Sequence, residues 1–208
     1  MRICEIFRSL QGEGLMMGAP TVFIRTVGCN LRCAWCDTDY AFDGGEEMDV
    51  ETVVGKVGRT VNVCVTGGEP MLQRDMPELL DILLSMGKKV VLETNGSVDL
   101  SALPRNGNLM ISMDVKCPSS GMEDRMEFRN LSLLDTKDQL KFIVADNCDF
   151  DYALKILKKY PTRTNVIFCP VGGTERLEWL AERVLASGLD ARVLPQLHKI
   201  IWGDKRSV

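Results

Sequence analysis

Six short apolar runs constrain this chain more than any other feature. They lie at residues 21–27, 61–65, 89–93, 109–113, 140–144 and 165–169. Each is rich in β-branched or large apolar side chains, and the runs are continuous rather than alternating, which suits strands covered on both faces. Helical patterns fall between them. Residues 75–86 carry Leu79, Leu80, Ile82, Leu83 and Met86 at helical spacing, with Gly87 as the stop. Residues 151–160 repeat the pattern and end before Pro161. Residues 174–186 open on a capping Thr174, turn Glu175, Glu178 and Glu182 outward, and close near Gly188. Residues 50–57 form a weaker helix because of Gly55.

Strands alternating with helices predict an α/β fold, a parallel sheet with right-handed crossovers. A closed eight-stranded barrel uses about 250 residues. With 208 residues, the expectation is a partial, open barrel forming a single domain over 1–208. No repeat, linker or low-complexity tract divides it. The polar stretch 116–134 reads as a loop, either a mobile lid or a solvated connection. Sites in such folds form at the C-terminal strand ends. Cys29, the run 66–70, the run 93–96 and the run 114–116 all fall there, so one active site is expected.

Net charge is −4, which argues against broad nucleic-acid binding and for a small-molecule partner. No apolar run reaches the roughly 20 residues that span a bilayer. The opening residues lack a signal-peptide pattern, so a cytoplasmic protein is expected. Eight cysteines in such a chain do not suggest a disulfide framework. Cys4, Cys64 and Cys169 read as small buried hydrophobes.

Cys29, Cys33 and Cys36 follow the pattern C-x3-C-x2-C in Gly28-Cys-Asn-Leu-Arg-Cys-Ala-Trp-Cys-Asp37. Three thiolates hold three irons of a cubane cluster and leave the fourth iron open for chemistry; a fourth cysteine would close the site. A structural zinc site would need a fourth ligand, and the only histidine, His198, is far along the chain.

This motif, with Trp35 before the last cysteine, resembles the signature of the radical S-adenosylmethionine (SAM) superfamily. Gly67-Gly68-Glu69-Pro70 resembles that superfamily's second motif. The resemblance implies an incomplete (β/α)6-type radical SAM barrel, a [4Fe-4S] cluster on the three cysteines, and SAM chelating the open iron. It implies that Glu69 and nearby backbone oxygens accept from the SAM ammonium, with Trp35 near the adenine. Within the superfamily, Ser9-Leu-Gln-Gly-Glu-Gly14, followed by Val22-Phe-Ile-Arg25, Lys116-Cys-Pro-Ser-Ser-Gly121 and Val193-Leu-Pro-Gln-Leu-His-Lys199, is similar to the 7-carboxy-7-deazaguanine synthases. Members convert 6-carboxy-5,6,7,8-tetrahydropterin to 7-carboxy-7-deazaguanine with loss of ammonia, toward queuosine or archaeosine, using SAM, the cluster and Mg2+.

That likeness implies roles residue by residue. Leu10, Gln11, Gly12 and Glu13 match the segment against the pterin, Arg25 the group binding the substrate carboxylate, and Thr66 a further substrate contact. A guanidinium fork suits a carboxylate; a buried ion pair is the other reading of Arg25. Thr38 matches a Mg2+ ligand, with Asp37 and Asp39 as nearby oxygen donors. Further SAM contacts are Trp35, Cys36, Asp37, Gly68, Asp114, Val115 and Lys116, and Val144, Ala145 and Asp146. Asp114-Val115-Lys116 departs from a common Ser-Pro-Lys form. An electron donor such as flavodoxin and a homodimer are also implied. The competing readings are a glycyl-radical activase and a zinc-stabilised binding module.

Overall fold

The computed structural model describes residues 1–208. All six expected strands form: β2 (Pro20–Thr26), β4 (Asn62–Gly67), β5 (Lys89–Thr94), β6 (Leu109–Val115), β7 (Gln139–Val144) and β8 (Asn165–Pro170). Three more join them. β1 (Arg2–Leu10) pairs antiparallel with β2, β3 (Glu46–Glu47) pairs antiparallel with β1, and β9 (Ala191–Val193) extends the far edge. The sheet order is β3-β1-β2-β4-β5-β6-β7-β8-β9, parallel from β2 onward. From β4 onward neighbours in space follow one another in sequence, as in a barrel wall, and the two ends, β3 and β9, stay unpaired. The expected open α/β barrel is the observed architecture.

The helices are α1 (Val50–Val57), α2 (Met76–Ser85), α3 (Asn147–Lys159), α4 (Leu177–Ser187) and α5 (Leu197–Trp202). Two details differ from the sequence reading. α3 begins four residues earlier than expected because the Asp146 carboxylate caps it, accepting from the Asp149 N–H at 3.0 Å. The first turn of the 174–186 helix is 3-10, and Gly188 ends α4 at φ +70° as expected. No α-helix links β5 to β6, and only short 3-10 turns link β6 to β7.

Side chains alternate along each strand. The outer face gives Ile24, Val65, Leu92, Met113, Phe142 and Phe168 to one core under the helices, with Leu79, Leu80, Leu83 and Phe150. The inner face is apolar only at its base, where Phe23, Cys64 and Val91 pack with Phe7 and Met110. Cys64 and Cys169 are buried as expected, whereas Cys4 is half-buried.

Residues 116–134 are pinned rather than loosely solvated. Asn130, fully buried, donates to the carbonyls of Gly96 and Val98 and accepts from the Leu100 N–H. Asn130→Ala would leave the Val98 carbonyl and the Leu100 N–H unpartnered, while the Gly96 carbonyl keeps the Glu127 N–H, and a loss of about 1–3 kcal/mol is expected. Urea unfolding followed by circular dichroism checks it, with faster proteolysis between 116 and 134 as the local readout.

Candidate active site

The inner face turns polar at the C-terminal strand ends. Register sets Arg25 level with Thr66 and Asp114 level with Lys141. These residues, with Glu93 of β5, line a cavity of about 520 Å3 that opens at this mouth. Cys29, Cys33, Cys36, Trp35, Thr38 and the C-terminal segment line it too.

The cysteine loop is held from several sides. Its Gly28 carbonyl accepts from the Glu69 N–H at 2.7 Å. Gly68 makes that approach possible, since a Cβ there would lie 2.1 Å from the Gly28 oxygen. Asn95 bridges the Asn30 amide oxygen and the Cys29 sulfur, at 3.1 and 3.7 Å. The Ala34 N–H donates to the Ser120 carbonyl. Trp35 Nε1 donates to Ser119 Oγ at 3.1 Å, and that hydroxyl donates to buried Asp149. The Lys116 ammonium lies 5.4 Å from the Trp35 ring centroid.

The three sulfurs are free thiols, and no three His, Cys, Asp or Glu side chains are already gathered at metal-ligating spacing. The donor set nevertheless suits an iron–sulfur cluster better than zinc. Three soft ligands share one short loop at the cavity, and His198 packs instead over Gly12, at the other loop. Burial pushes the Cys33 and Cys36 thiols up, so the thiolates need a cation to form.

At the opposite wall, Arg25 Nε donates to Glu5 at 2.7 Å, and its guanidinium lies between the Phe7 and Tyr40 rings. The ion-pair reading of Arg25 is met. Nε is in an ion pair, and no protein acceptor takes its two Nη groups. Glu5 also accepts from the Tyr40 and Ser207 hydroxyls. Glu93 accepts from Thr66 at 2.9 Å and from Gln11 at 3.3 Å. Glu13 accepts from Lys141 and Gln196 at 2.7 and 2.8 Å. Burial alone would raise the Glu13 carboxyl, but the Lys141 charge and these hydrogen bonds outweigh it and hold it low. Thr38 makes no capping bond; its hydroxyl donates to Asp37. Lys199 and Gln196 bond the other Asp37 oxygen. Despite the cost of burial, these partners draw the Asp37 carboxyl down to about 2.

Leu10, Gln11, Gly12, Glu13, Arg25, Trp35, Cys36, Asp37, Thr38, Thr66, Gly68, Asp114 and Lys116 thus all reach one cavity. Five expected contacts do not. Val115 and Val144 point outward into the core because their inward neighbours are Asp114 and Ile143. Ala145 gives its N–H to Asp149 and its carbonyl to Arg176, and Asp146 caps α3. Glu69 is fully buried, its carboxylate taken by the Asn95 and Met71 N–H groups and the Thr94 hydroxyl. Its carboxylate braces the turn.

The sequence reading placed the run from Glu93 at the mouth without giving Glu93 a role, and it missed Glu5, Lys141, Gln196 and Lys199 as site residues. A signal existed for Lys141, since a lone ammonium in a buried apolar strand requires a partner.

The radical SAM superfamily model matches residues 23–184. A 7-carboxy-7-deazaguanine synthase of Thermoplasma acidophilum is 40% identical over 98% of this chain and 98% of its own length. One from Methanospirillum hungatei is 45% identical over 97% of this chain and 85% of its length. The chain belongs to the 7-carboxy-7-deazaguanine synthases of the radical SAM superfamily. A crystal structure of QueE from Escherichia coli shares the fold, with TM-score 0.76, 24% identity and 92% of each chain covered. Membership brings a [4Fe-4S] cluster and SAM as cofactors.

Burial pushes the Glu69 carboxyl up to about 7 against its three hydrogen bonds. The unfolded chain releases this proton near the ordinary carboxylate value. Stability should therefore be greatest below that value and fall as pH rises to about 7. Glu69→Gln, which cannot ionise, is expected to flatten that slope in urea melts between about pH 5 and about pH 8.

Proposed function

We propose that this chain converts 6-carboxy-5,6,7,8-tetrahydropterin to 7-carboxy-7-deazaguanine with loss of ammonia, in 7-deazapurine biosynthesis. The observation that carries this reading is the pairing, in one cavity, of the three-thiol loop with an arginine whose Nη groups are free. Its full-length likeness to synthases of that name supports it further. Neither an activase nor a zinc-stabilised module draws support from any feature of the site.

Cys29, Cys33 and Cys36 hold the cluster. When bound, cluster and SAM together supply a 5′-deoxyadenosyl radical able to take hydrogen from carbon. The chain's own side chains bind and orient. Arg25, fixed through Nε by Glu5, presents its Nη fork to the substrate carboxylate. Glu13, kept ionised by Lys141, accepts pterin N–H groups, with Leu10, Gln11, Gly12 and Thr66 around the ring. Trp35, Asp37, Gly68, Asp114 and Lys116 form the SAM side. Thr38, with Asp37 beside it, would hold Mg2+, a hard cation that takes oxygen ligands. Fixing both reactants in one enclosure is what this scaffold contributes to rate.

The whole of 1–208 acts as one domain, in the cytoplasm and as a homodimer, reduced by an electron donor such as flavodoxin. No helix is long and apolar enough to cross a membrane.

The deciding experiment is turnover of 6-carboxytetrahydropterin by cluster-loaded protein with SAM, reductant and Mg2+, read by mass spectrometry. A deazaguanine carboxylate is expected; its absence overturns the substrate assignment. Thr38→Ala should bind cluster and SAM normally and lose most of its Mg2+ stimulation, seen by titrating Mg2+ against initial rate. An unchanged titration would move the ligand to Asp37 or Asp39.

A further inference from the structure

Lys141 stands at the centre of the cavity wall. Its side chain is 5% exposed, and its ammonium lies 2.7 Å from Glu13 Oε2 and 3.3 Å from Asp114 Oδ1. Asp114 in turn holds Lys116 at 2.8 Å through its other oxygen. Gln196 closes the Glu13 end, and the Trp35 ring faces Lys116 at the other. The result is an unbroken chain of alternating charge, Glu13–Lys141–Asp114–Lys116. It runs from the residues proposed to meet the pterin to those proposed to meet SAM. Glu93, Cys169 and Asp37 face it toward the Glu13 end, and Cys33, Cys36 and Glu69 face it toward Lys116.

Its four charges sum to zero, and each interior one is satisfied by the next. In a low-dielectric wall such links polarise one another, so a change at one end is felt at the other. N–H donors arriving at Glu13 take up part of its charge. The Lys141 ammonium then leans toward Asp114, and Asp114 loosens its hold on Lys116. Lys116 becomes freer to donate to a ligand acceptor beside Trp35.

Resting on the proposed reading of the two ends, we infer that Lys141 is a positioning residue that couples pterin binding to SAM binding, each tightening the other. Coupling between sites is reciprocal and commonly about 5–150-fold.

The test uses cluster-loaded protein without reductant, so that both ligands bind and nothing turns over. SAM Kd is measured by equilibrium dialysis with and without saturating 6-carboxytetrahydropterin, and the reverse titration checks reciprocity. The native protein should bind SAM about fivefold or more tighter with pterin present. Lys141→Met should bring that factor within about twofold of unity, and Lys141→Arg should restore part of it. Asp114→Asn cuts the same chain one link along and should uncouple the ligands equally, which covers the case that Lys141→Met does not fold. Coupling retained in either variant, or absent from the native protein, overturns the inference. A native protein that binds SAM but no pterin overturns the substrate reading as well, and that result is distinct from binding without coupling.

Discussion

The parallel register from β2 to β8 is the constraint on which the site depends. Each ladder sets equivalent residues level, so Arg25 stands beside Thr66, Glu93 beside Ser112, and Asp114 and Lys141 beside each other two residues nearer the mouth, all on one face. A slip of one residue in any strand would turn its charge into the apolar core and its core residue into the cavity. The strands therefore carry two patterns at once. Their outward residues are apolar except for Thr26 and Thr94 at the strand ends. Their inward residues change from Phe23, Cys64 and Val91 at the base to ionisable or hydroxyl groups at the mouth.

Placing so many charges in a partly enclosed wall is tolerable only because they are paired and hydrogen-bonded. Arg25 is balanced by Glu5, Lys116 and Lys141 by Asp114 and Glu13, and Lys199 by Asp37. The cysteine loop is placed by a different means. It depends on close backbone approach at Gly68 and on the buried Glu69 brace, and only then on polar links to Asn95 and Ser120. The cysteine loop and the charged wall are thus held by largely separate contacts, joined by Gln196 between Asp37 and Glu13 and by Lys116 against Trp35.

Much of this was legible in the sequence because it rests on local pattern. The six core strands announce themselves as continuous apolar runs, and the Gly188 stop and the break before Pro161 act through backbone geometry alone. β1 was not legible. It is a hairpin strand in which Arg2, Glu5 and Arg8 interrupt the apolar residues, and its partner β2 fixes it. β9, three residues long, has no pattern to read. Motif likeness found the cysteines, Gln11 and Arg25, but it could not say which side of β6 or β7 a residue faces. That is why Val115 and Val144 were expected in the site while Lys141 was not. Nor does the motif reveal that the Glu69 carboxylate is taken up by the backbone amides of Met71 and Asn95.

The last layer of the cavity is built unlike the rest. α5 buries none of its residues fully and leaves Ile200 and Ile201 substantially exposed. What holds this segment is polar and long-range: Gln196 to Glu13 and Asp37, Lys199 to Asp37, Ser207 to Glu5, and the Leu197 N–H to the Gly12 carbonyl. His198 sits so close over Gly12 that a Cβ there would meet it at 2.1 Å. Exposed ion pairs of this kind contribute little each, and an element without apolar burial belongs to the part of a fold that opens at least cost. The cavity is therefore walled by a stable parallel sheet on one side and by its least stable element on the other. Every contact holding that element ends on a residue of the site, on its loops or on Glu5 behind Arg25. A ligand that engages Glu13, Asp37 or Arg25 must then compete with, or complete, the contacts that close the cavity over it. Closure and recognition share the same few oxygen and nitrogen atoms.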